Sequence, residues 1–396
     1  MNIVLITPEF VSEKYFSGGL ANYINRLSKS LTEYGHNVTI IIPSSDKEET
    51  VEFDNVKLIR LGQGKLKEWI DRLTRYKMLD TSKSLDFSYR AYQKIKQLKN
   101  IDIIQIPNYK ACGLFTSLLI KKPTLLRISS YRPFWNLMSQ ENVKSFDTRA
   151  IAWLESKQIT HAENIIAPSK LLKDIIEREE KLKQNINVIR TPFFNETNEY
   201  DVSVYNKRLK GEKYILYFGR YQLHKGFHIL CRSLTEVFER HKNIKVVFVG
   251  DDSETSLAPS MKHYAIEQNS NYEDRLIFIN SLRHQQLYPI INKAHFVVLP
   301  SLIDNMPNAA LEAMALGKAV IGTYGASFDE FINNGYNGFL TKKNCIKSLT
   351  SKLLEVLSCS NLANIEKNAK ETISEFEPDL VVAQLLLHYK NIIEKA

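Results

Sequence analysis

Cysteine is scarce in this sequence, because its 396 residues include only four, and no two of them stand close together. Their wide spacing indicates neither a zinc site nor a disulfide framework. The four are Cys112, Cys231, Cys345 and Cys359. Long hydrophobic runs are missing as well, since the longest, Ala111–Ile120, is too short to span a bilayer. The first residues, MNIVLITPEF, lack the basic leader of a signal peptide, so we expect a reducing, cytoplasmic compartment.

Several sequence patterns are also absent. The G-x-G-x-x-G fingerprint of dinucleotide-binding proteins does not occur, although Gly18 and Gly19 form a pair between a predicted strand and a predicted helix. That pair is either a structural turn or the start of a helix that faces an anionic ligand. No internal repeat and no low-complexity tract occurs. The chain is longer than one ordinary core requires, so we expect two domains.

The composition is that of an ordinary globular protein, with 44% hydrophobic and 24% charged residues, but the formal net charge is +9. Basic residues are densest in Lys65–Lys77, KLKEWIDRLTRYK. Three interpretations of this run stay open: a solvated helix face, which is the commonest case; an amphipathic helix with Trp69 on an anionic membrane surface; or a nucleic-acid contact. The run by itself leaves all three open, but for the protein as a whole we expect no nucleic acid among its partners.

Apolar runs alternate with helical patterns along the whole chain, which predicts parallel sheets covered by helices on both faces. The predicted strands of the first half are Asn2–Thr7, Val38–Pro43, Val56–Leu61, Asp102–Ile106, Thr124–Ile128, Asn164–Ala167 and Ile186–Ile189. Those of the second half are Tyr214–Phe218, Lys245–Val249, Leu276–Ile279, His295–Leu299, Ala319–Thr323 and Gly338–Leu340. We predict a first domain at 1–195, a linker at 196–212, a second domain at 213–376 and a final helix at 377–396.

The most informative stretch runs from Leu299 to Thr323, LPSLIDNMPNAALEAMALGKAVIGT. It predicts a strand, a polar turn, a helix over about Pro307–Leu316 and a second strand, which places a helix N-terminus at the carboxyl edge of a parallel sheet. Such an N-terminus is an anion site. Asp304 and Glu312 either border one crevice there, or are only a helix cap and a solvated helical residue.

The turn after the first strand of the second domain reads FGRYQLHKG, with Arg220 and Lys225 five positions apart. Two fixed cations beside a helix start can hold a diphosphate without a metal ion. The alternative is that both are ordinary surface residues.

Six segments stand in the order and at the spacing that one enzyme family shows: SGGLANYINRLSKSL, NIIAPSKLLKDII, GRYQLHKG, VVFVGDD, LPSLIDNMPNAALEAMALGKAVIGT and GASFDEFINNGYNGFL. Together they resemble glycosyltransferase family 4, the retaining group of nucleotide-sugar glycosyltransferases, over nearly the whole chain. The resemblance implies an α/β protein of GT-B fold, with two Rossmann-like doubly wound domains facing each other across a cleft. It also implies that the first domain binds the acceptor, that the second binds the donor nucleotide, and that the last helix crosses back to the first.

The resemblance also implies roles for single residues. The catalytic set is Arg220, Lys225 and Asp304, of which the two cations neutralise the donor diphosphate. The donor-binding set is Gly18, Gly19, Leu282, Arg283, Asn305, Met306, Pro307, Asn308 and Glu312. Glu312 corresponds to the acid that bonds the ribose hydroxyls. Asp304 departs from the family, which usually has a glutamate there. No metal or other cofactor is implied, and no Asp-x-Asp metal motif stands at a plausible site.

A second departure concerns the first domain. Pro107 stands where family members often carry a histidine near the transferred sugar, and Ser129 stands where another is frequent. The acceptor-side candidates that replace these histidines are Asn108, Tyr109, Arg127 and Ser129.

We therefore expect a retaining enzyme that moves a sugar from a nucleoside diphosphate sugar to a glycan or lipid-linked glycan acceptor, in surface polysaccharide biosynthesis. Its basic surface suggests peripheral contact with the inner face of an anionic membrane. Two alternatives stay open, a nucleotide-sugar epimerase on the same fold and a non-catalytic glycan-binding member.

Overall fold

A computed structural model of the chain describes residues 1–13, 19–46, 48–133, 145–195 and 197–396. These residues form two compact units. Unit 1 contains the described residues within 1–134, 142–192 and 377–396, and unit 2 contains residues 193–376.

Unit 1 is built on an eight-stranded sheet with the strand order β3-β4-β2-β1-β5-β6-β7-β8. All neighbouring strands are parallel except β3 and β4, which are antiparallel. The strands are β1 Asn2–Ile6, β2 Asn37–Pro43, β3 Glu49–Phe53, β4 Val56–Leu61, β5 Ile103–Pro107, β6 Thr124–Arg127, β7 Ile165–Ala167 and β8 Ile186–Val188.

Side chains of the central strand β1 alternate between two buried layers. Ile3 and Leu5 join the core on one face of the sheet, whereas Val4 and Ile6 join the core on the other. Both faces are covered by helices, which explains why this strand is apolar at nearly every position rather than at every second one. The helices are α1 Gly19–Glu33, α2 Lys65–Leu73, α3 Leu79–Gln97, α4 Leu114–Leu119, α5 Phe146–His161 and α6 Lys170–Glu180.

Unit 2 is built on a six-stranded sheet with the order β11-β10-β9-β12-β13-β14, parallel throughout. Residues of β9 alternate between its two core layers, Leu216 and Phe218 on one face and Ile215 and Tyr217 on the other. The strands are β9 Tyr214–Phe218, β10 Lys245–Val249, β11 Leu276–Ile279, β12 Phe296–Val298, β13 Val320–Thr323 and β14 Phe339–Thr341.

Helices cover the unit 2 sheet on both faces. They are α7 Ser203–Arg208, α8 Phe227–Arg240, α9 Met261–Gln268, α10 His284–Lys293, α11 Asn308–Ala315, α12 Ile346–Leu357 and α13 Leu362–Thr372. Within the stretch 196–212, which the sequence predicted as a linker, the described residues include helix α7, and Leu209 is fully buried in the core of unit 2. Val204 and Tyr205 of this short helix also pack against that core while staying partly exposed.

The last helix, α14 Pro378–Lys395, follows unit 2 in the chain but belongs to unit 1. Its buried residues Val382 and Leu385 join the core layer that contains Ile3 and Leu5 of β1. Its Tyr389 hydroxyl donates a 2.6 Å hydrogen bond to Oε1 of Gln105 in β5. None of the helices in the described part of the chain has both the length and the apolar character that crossing a bilayer requires.

Candidate active site

The carboxyl ends of the parallel strands in unit 2 lie at one edge of its sheet, and most of the residues predicted to bind the donor follow those ends. The loop after β9 carries Arg220 and Lys225, the loop after β11 carries Leu282 and Arg283, and the loop after β12 carries Asp304. Ligands of open parallel sheets bind outside this edge, so it is the expected place for a site.

Two of these loops are held together by backbone contacts. Gly226 has a positive φ of 68°, and a Cβ atom at this position would collide with the carbonyl group of Pro300 in the loop after β12. In the same region, the backbone N–H of Leu302 donates a 2.8 Å hydrogen bond to the carbonyl oxygen of His224. Only glycine satisfies both the left-handed backbone and the close approach, so Gly226 fixes the distance between the two loops.

The close approach of the loops brings Lys225 to Asp304. The Lys225 Nζ atom lies 2.6 Å from Oδ2 of Asp304, and the two side chains retain 28% and 12% of their exposure. The residues are 79 positions apart in sequence. The resulting ion pair is partly buried but still in contact with solvent, so its charges are accessible to a ligand.

Arg220 is exposed at the same edge. Its carbonyl oxygen accepts a 2.8 Å hydrogen bond from the Tyr217 hydroxyl, which fixes the backbone of the loop. Burial, with Lys225 and Arg220 as further causes, lowers the pKa of His224 to about 3. Both cations therefore lie near this imidazole, which stays neutral at physiological pH and adds no charge to them.

Helix α11 begins beside this ion pair. Its N-cap residue is Pro307, which makes no side-chain capping hydrogen bond. The Asp304 carboxylate bonds to Lys225 instead, so the interpretation of Asp304 as a helix cap is wrong. An uncapped N-terminus leaves backbone N–H groups available to an anion.

Glu312 lies in the second turn of α11 and is buried. Its Oε1 atom is 3.6 Å from Nε2 of His284, the first residue of α10. Glu312 is therefore not the solvated helical residue that one interpretation made it. Sequence reasoning missed His284, and its position directly after the predicted residues Leu282 and Arg283 was the one available signal.

The remaining residues predicted to bind the donor differ in their burial and in their position in the helices. Leu282 packs against the core of unit 2, and Arg283 is exposed and precedes the first turn of α10 as its N-cap. Met306 is buried in the core, and Asn305 is partly buried. Asn308 starts helix α11, and its Oδ1 atom is buried without a hydrogen-bond partner among the described residues.

Sequence reasoning also missed two groups in and near the loop after β13. The Ser327 hydroxyl donates a 2.8 Å hydrogen bond to the carbonyl oxygen of Asp304, and Ser327 holds a left-handed φ of 67°. The Lys343 Nζ atom donates a 2.9 Å hydrogen bond to the Gly325 carbonyl oxygen, and burial lowers the pKa of Lys343. Ser327 thus ties this loop to the Asp304 loop.

The glycine pair of unit 1 is described only in part. Gly18 lies outside the described residues, and Gly19 is the exposed first residue of helix α1. Their predicted contact with a donor diphosphate stays a prediction.

Asn108 follows β5 and is fully buried. Its Oδ1 atom accepts a 2.7 Å hydrogen bond from the Ser129 backbone N–H, and its Nδ2 group donates a 2.6 Å bond to the Ser130 carbonyl oxygen. These bonds join the loops after β5 and β6. They favour a structural role for Asn108 over the predicted direct contact with an acceptor.

Arg127, at the end of β6, is also buried, and burial lowers the pKa of its guanidinium. This group lies 3.6 Å from the centre of the Tyr23 ring and donates hydrogen bonds to the Ser129 and Thr191 hydroxyls at 3.1 and 3.0 Å. The half-buried Tyr109 lies in a short 3-10 turn after β5. Of the four acceptor-side candidates, Tyr109 and Ser129 retain more exposure than Asn108 and Arg127.

No three His, Cys, Asp or Glu side chains lie close enough to share a metal ion in the part of the chain that the structure describes. The independence from metal ions stays a prediction.

Two protein-family models match the chain in tandem. Residues 17–193 match the model described as Glycosyltransferase Family 4, and residues 203–372 match the model described as Glycosyl transferases group 1.

Curated relatives match at low sequence identity. An uncharacterized glycosyltransferase of Methanocaldococcus jannaschii is 22% identical over 100% of this chain and 99% of its own length. The capsular polysaccharide biosynthesis glycosyltransferase CapM of Staphylococcus aureus is 24% identical over 73% of this chain and 76% of its own. The N,N'-diacetylbacillosaminyl-diphospho-undecaprenol alpha-1,3-N-acetylgalactosaminyltransferase of Campylobacter jejuni is 23% identical over 51% of each chain.

Solved structures share the fold over the full chain. A sucrose-phosphate synthase from Thermosynechococcus elongatus superposes with a TM-score of 0.80 at 18% identity, covering 100% of both chains. HepE of Anabaena, in complex with UDP and glucose, superposes with a TM-score of 0.73 at 15% identity, covering 99% of this chain and 100% of its own. At these identities the similarity establishes the fold alone.

Proposed function

Because the chain belongs to glycosyltransferase family 4, of the group 1 type, we propose that it transfers a sugar from a nucleoside diphosphate sugar with retention of the anomeric configuration. The predicted family, the GT-B fold and the assignment as a glycosyltransferase are confirmed by the matching family models and the similar structures. The donor class, the stereochemistry and the acceptor belong to the proposal.

One observation carries the proposal: the Lys225–Asp304 ion pair at 2.6 Å, beside the uncapped N-terminus of α11. The carboxylate holds the lysine in place before a ligand arrives, so little side-chain entropy is lost when a diphosphate binds. Arg220, exposed near His224, supplies a second cation. Helix N–H groups and two cations together offer hydrogen-bond donors to the oxygens of a diphosphate, with the Asp304 carboxylate offsetting one positive charge.

The same groups can stabilise the transition state. As the bond between the sugar and the diphosphate breaks, negative charge grows on the departing phosphate oxygen, and Lys225 and Arg220 stabilise it. The sugar acquires oxocarbenium character. The acceptor hydroxyl attacks from the face that the diphosphate leaves, and its proton passes to the departing phosphate oxygen. The anomeric configuration is thereby retained.

Glu312 is the group that we propose for the nucleoside. Its carboxylate is buried one turn into α11 and beside His284, so it can accept hydrogen bonds from two neighbouring ribose hydroxyls. The similar structure of HepE holds UDP, which supports a nucleoside diphosphate as the ligand class.

For the acceptor we propose a glycan or a lipid-linked glycan, in surface polysaccharide biosynthesis. Two relatives support this choice, one named for capsular polysaccharide biosynthesis and one for transfer to a diphospho-undecaprenol-linked sugar. We place acceptor binding in unit 1, with Tyr109 and Ser129 as the more exposed candidates.

The donor is tested first by thermal shift with a panel of nucleoside diphosphates and their sugars. A ligand that binds the folded state raises the melting temperature, and at equal concentration a tighter ligand raises it more. We expect one nucleoside diphosphate and its sugars to give the largest shift. No shift with any member of the panel would contradict the proposal.

The Glu312→Ala variant then tests the site. We expect its donor affinity to fall on the order of tenfold to a hundredfold, because a charge-assisted hydrogen bond to a hydroxyl contributes roughly 1.5–3 kcal/mol. Glu355→Ala, an exposed glutamate of α12, is the control and should bind donor as the wild type does. Equal donor affinity in both variants would remove Glu312 from the site.

Product analysis separates the alternatives. Incubation with donor and acceptor should give a product with the donor's anomeric configuration, read by nuclear magnetic resonance of the anomeric proton. A changed sugar formed from donor alone, without acceptor, would identify an epimerase instead. Donor binding without release of nucleotide in the presence of any acceptor would identify a non-catalytic member.

A further inference from the structure

Large apolar side chains are exposed on the segment from Lys65 to Leu79 of unit 1, which we call the α2–α3 hairpin. It contains helix α2, a turn and the first residue of helix α3. Trp69, Leu73 and Tyr76 are 62%, 68% and 63% exposed. Single exposed apolar residues are common on protein surfaces, but several of this size close together indicate an interaction site.

The exposed residues of α2 share one face of the helix. Lys65, Trp69, Arg72 and Leu73 are exposed at positions i, i+4, i+7 and i+8. Ile70 is buried on the other side of the helix. The helix therefore has one side that packs on unit 1 and an outward face that combines Trp69 and Leu73 with two cations and the exposed acid Glu68.

The outward face is held firmly by buried carboxylates. Asp71 accepts a 2.8 Å hydrogen bond from the Lys67 ammonium and another from the Ser82 hydroxyl of α3. Asp86 of α3 accepts hydrogen bonds from the backbone N–H groups of Gly64 and Lys67 at 2.7 and 3.2 Å, and so caps the start of α2. The exposure of Trp69 and Leu73 therefore belongs to an anchored helix and not to a frayed end.

The turn between α2 and α3 has a defined conformation as well. Arg75 and Tyr76 both hold positive φ angles, 51° and 60°, although neither is a glycine. Such residues each cost on the order of 1 kcal/mol or more, so the surroundings must impose the conformation. The Tyr76 N–H donates a 2.7 Å hydrogen bond to the Asp71 carbonyl oxygen. The strained turn keeps the Arg75 and Tyr76 side chains in solvent.

A neighbouring helix extends the apolar surface. The Asp147 carboxylate of α5 accepts hydrogen bonds from the backbone N–H groups of Asp80 and Thr81, both at 2.9 Å. These bonds bring the start of α5, with its exposed Phe146, next to Leu79, which is also exposed. The docking patch then consists of Trp69, Leu73, Tyr76, Leu79 and Phe146.

Positive charge surrounds the docking patch. The exposed charged residues of the segment 65–83 are five cations, Lys65, Arg72, Arg75, Lys77 and Lys83, and two acids, Glu68 and Asp80. Aromatic and leucine side chains among lysine and arginine match the boundary between lipid headgroups and acyl chains, where rings and aliphatic groups insert and cations meet anionic headgroups.

We propose that the docking patch binds the surface of an anionic lipid bilayer. The inference rests on the proposed function for its purpose, because a lipid-linked acceptor must be met at the membrane. A second copy of the chain fits less well, since a two-fold interface would set the same cations against each other. The patch gives the basic run Lys65–Lys77 the membrane role that the sequence had left open.

Vesicle binding of the full chain tests the inference without donor or acceptor. We expect co-sedimentation with vesicles of phosphatidylcholine and phosphatidylglycerol, weaker binding to phosphatidylcholine alone, and release as salt is raised. The double variant Leu73→Ser/Tyr76→Ser should weaken binding on the order of tenfold or more, and Arg72→Gln or Arg75→Gln about fivefold each.

Matched exposed residues elsewhere serve as controls. Leu387→Ser/Tyr336→Ser replaces a leucine and a tyrosine of similar exposure, and Arg178→Gln and Arg240→Gln replace exposed arginines. All of these should bind vesicles like the wild type. Equal weakening by the controls, or no preference of the wild type for anionic vesicles, would overturn the inference.

Two further measurements separate this inference from the proposed function and from self-association. Nucleotide release in solution should be unchanged in Leu73→Ser/Tyr76→Ser, because the patch lies outside the donor-binding residues. Anionic vesicle binding by a protein that turns over no donor would support the docking patch while contradicting the proposed function. A dimer in sedimentation velocity that the same variant dissociates, without vesicle binding, would assign the patch to a second copy.

Discussion

The two sheets carry polar side chains near their carboxyl ends in different ways. In unit 2, Lys225 and Asp304 come from separate loops, meet at 2.6 Å and keep contact with solvent. In unit 1, Arg127 and Gln105 are buried, and their partners include the ring of Tyr23 and the hydroxyls of Thr191 and Tyr389. In unit 2 the charges stay accessible to a ligand, whereas in unit 1 the buried polar groups join elements of the fold.

The difference shows how burial changes the role of a charged residue. A buried cation loses its hydration, which lowers its pKa, so neighbouring groups must replace the lost water for the charged form to persist. For Arg127 the replacement is an aromatic face and two hydroxyls, and no carboxylate is among its described contacts. Such a residue stabilises the fold. A charge that keeps part of its exposure, as Lys225 does, remains able to bind substrate.

The largest expected effect concerns the exposed arrangement. Lys225→Ala should reduce nucleotide release from the sugar donor on the order of a hundredfold or more, because it removes a cation that stabilises the departing diphosphate. Turnover assays measure the effect. Lys318→Ala removes another ion-paired lysine of unit 2, bonded to Glu366 at 3.1 Å before strand β13, and should leave turnover unchanged. Similar losses in both variants would contradict the assignment of Lys225.

The second prediction concerns the buried arrangement. Arg127→Met should lower the free energy of unfolding by about 2–3 kcal/mol, since it removes a cation–π contact and two hydrogen bonds from a buried site. Urea denaturation measures this loss. Donor affinity, measured by calorimetry, should not change. Arg178→Met, an exposed arginine of α6, is the control and should have little effect. Weaker donor binding by a stable Arg127→Met protein would mean that the buried arrangement also contacts ligand.

The third prediction concerns pH and unit 2. Burial and the nearby Arg232 lower the pKa of His228 to about 4, from a usual value of 6.5. Between these two values the unfolded chain binds a proton that the folded chain does not, so stability is complete above about pH 6.5 and falls as the pH decreases toward 4. At pH 5 the part of this loss that His228 contributes should be about 2 kcal/mol.

The test compares unfolding at neutral pH and at pH 5. In His228→Leu the loss on acidification should be smaller by about 2 kcal/mol, whereas His263→Gln, at an exposed position of α9, should keep the full loss. An unchanged pH dependence in His228→Leu would show that the imidazole titrates normally in the folded protein.

The smallest expected effect concerns the bond between the last helix and β5. Tyr389→Phe removes the hydroxyl that donates to Gln105, and should lower the free energy of unfolding by about 1–2 kcal/mol. Tyr336→Phe, at an exposed position, should change stability by far less. If chemical denaturation shows no difference between these variants, the buried hydrogen bonds of unit 1 contribute less than their geometry indicates.

Elements with strong apolar patterns were predictable. The buried parallel strands stand out because both faces of each sheet are covered, which makes β1 and β9 apolar at successive positions. The edge strand β3 was missed, since its sequence ETVEF is polar and mostly exposed. Helix α10 was missed as well, because it is short and contains Pro289, which disrupts the helical signal.

The candidate site was predictable only in part. Sequence order and motif spacing placed Arg220, Lys225 and Asp304 at the carboxyl ends of parallel strands. They could not show that Asp304 bonds to Lys225 instead of capping α11. They also gave no sign of Ser327, because its left-handed φ and its bond to the Asp304 carbonyl oxygen depend on a neighbouring loop.

The sequence by itself determined the alternation of strands and helices, the two-sheet architecture and the glycosyltransferase family, because local apolar periodicity and motif order are written along the chain. Tertiary structure alone decided which charges are paired, which are buried and which meet solvent. Lys225 and Asp304 are 79 positions apart, and Asp86 caps α2 from 22 positions beyond Gly64. Burial and pairing depend on what packs against a residue in space, and that information is not local in sequence.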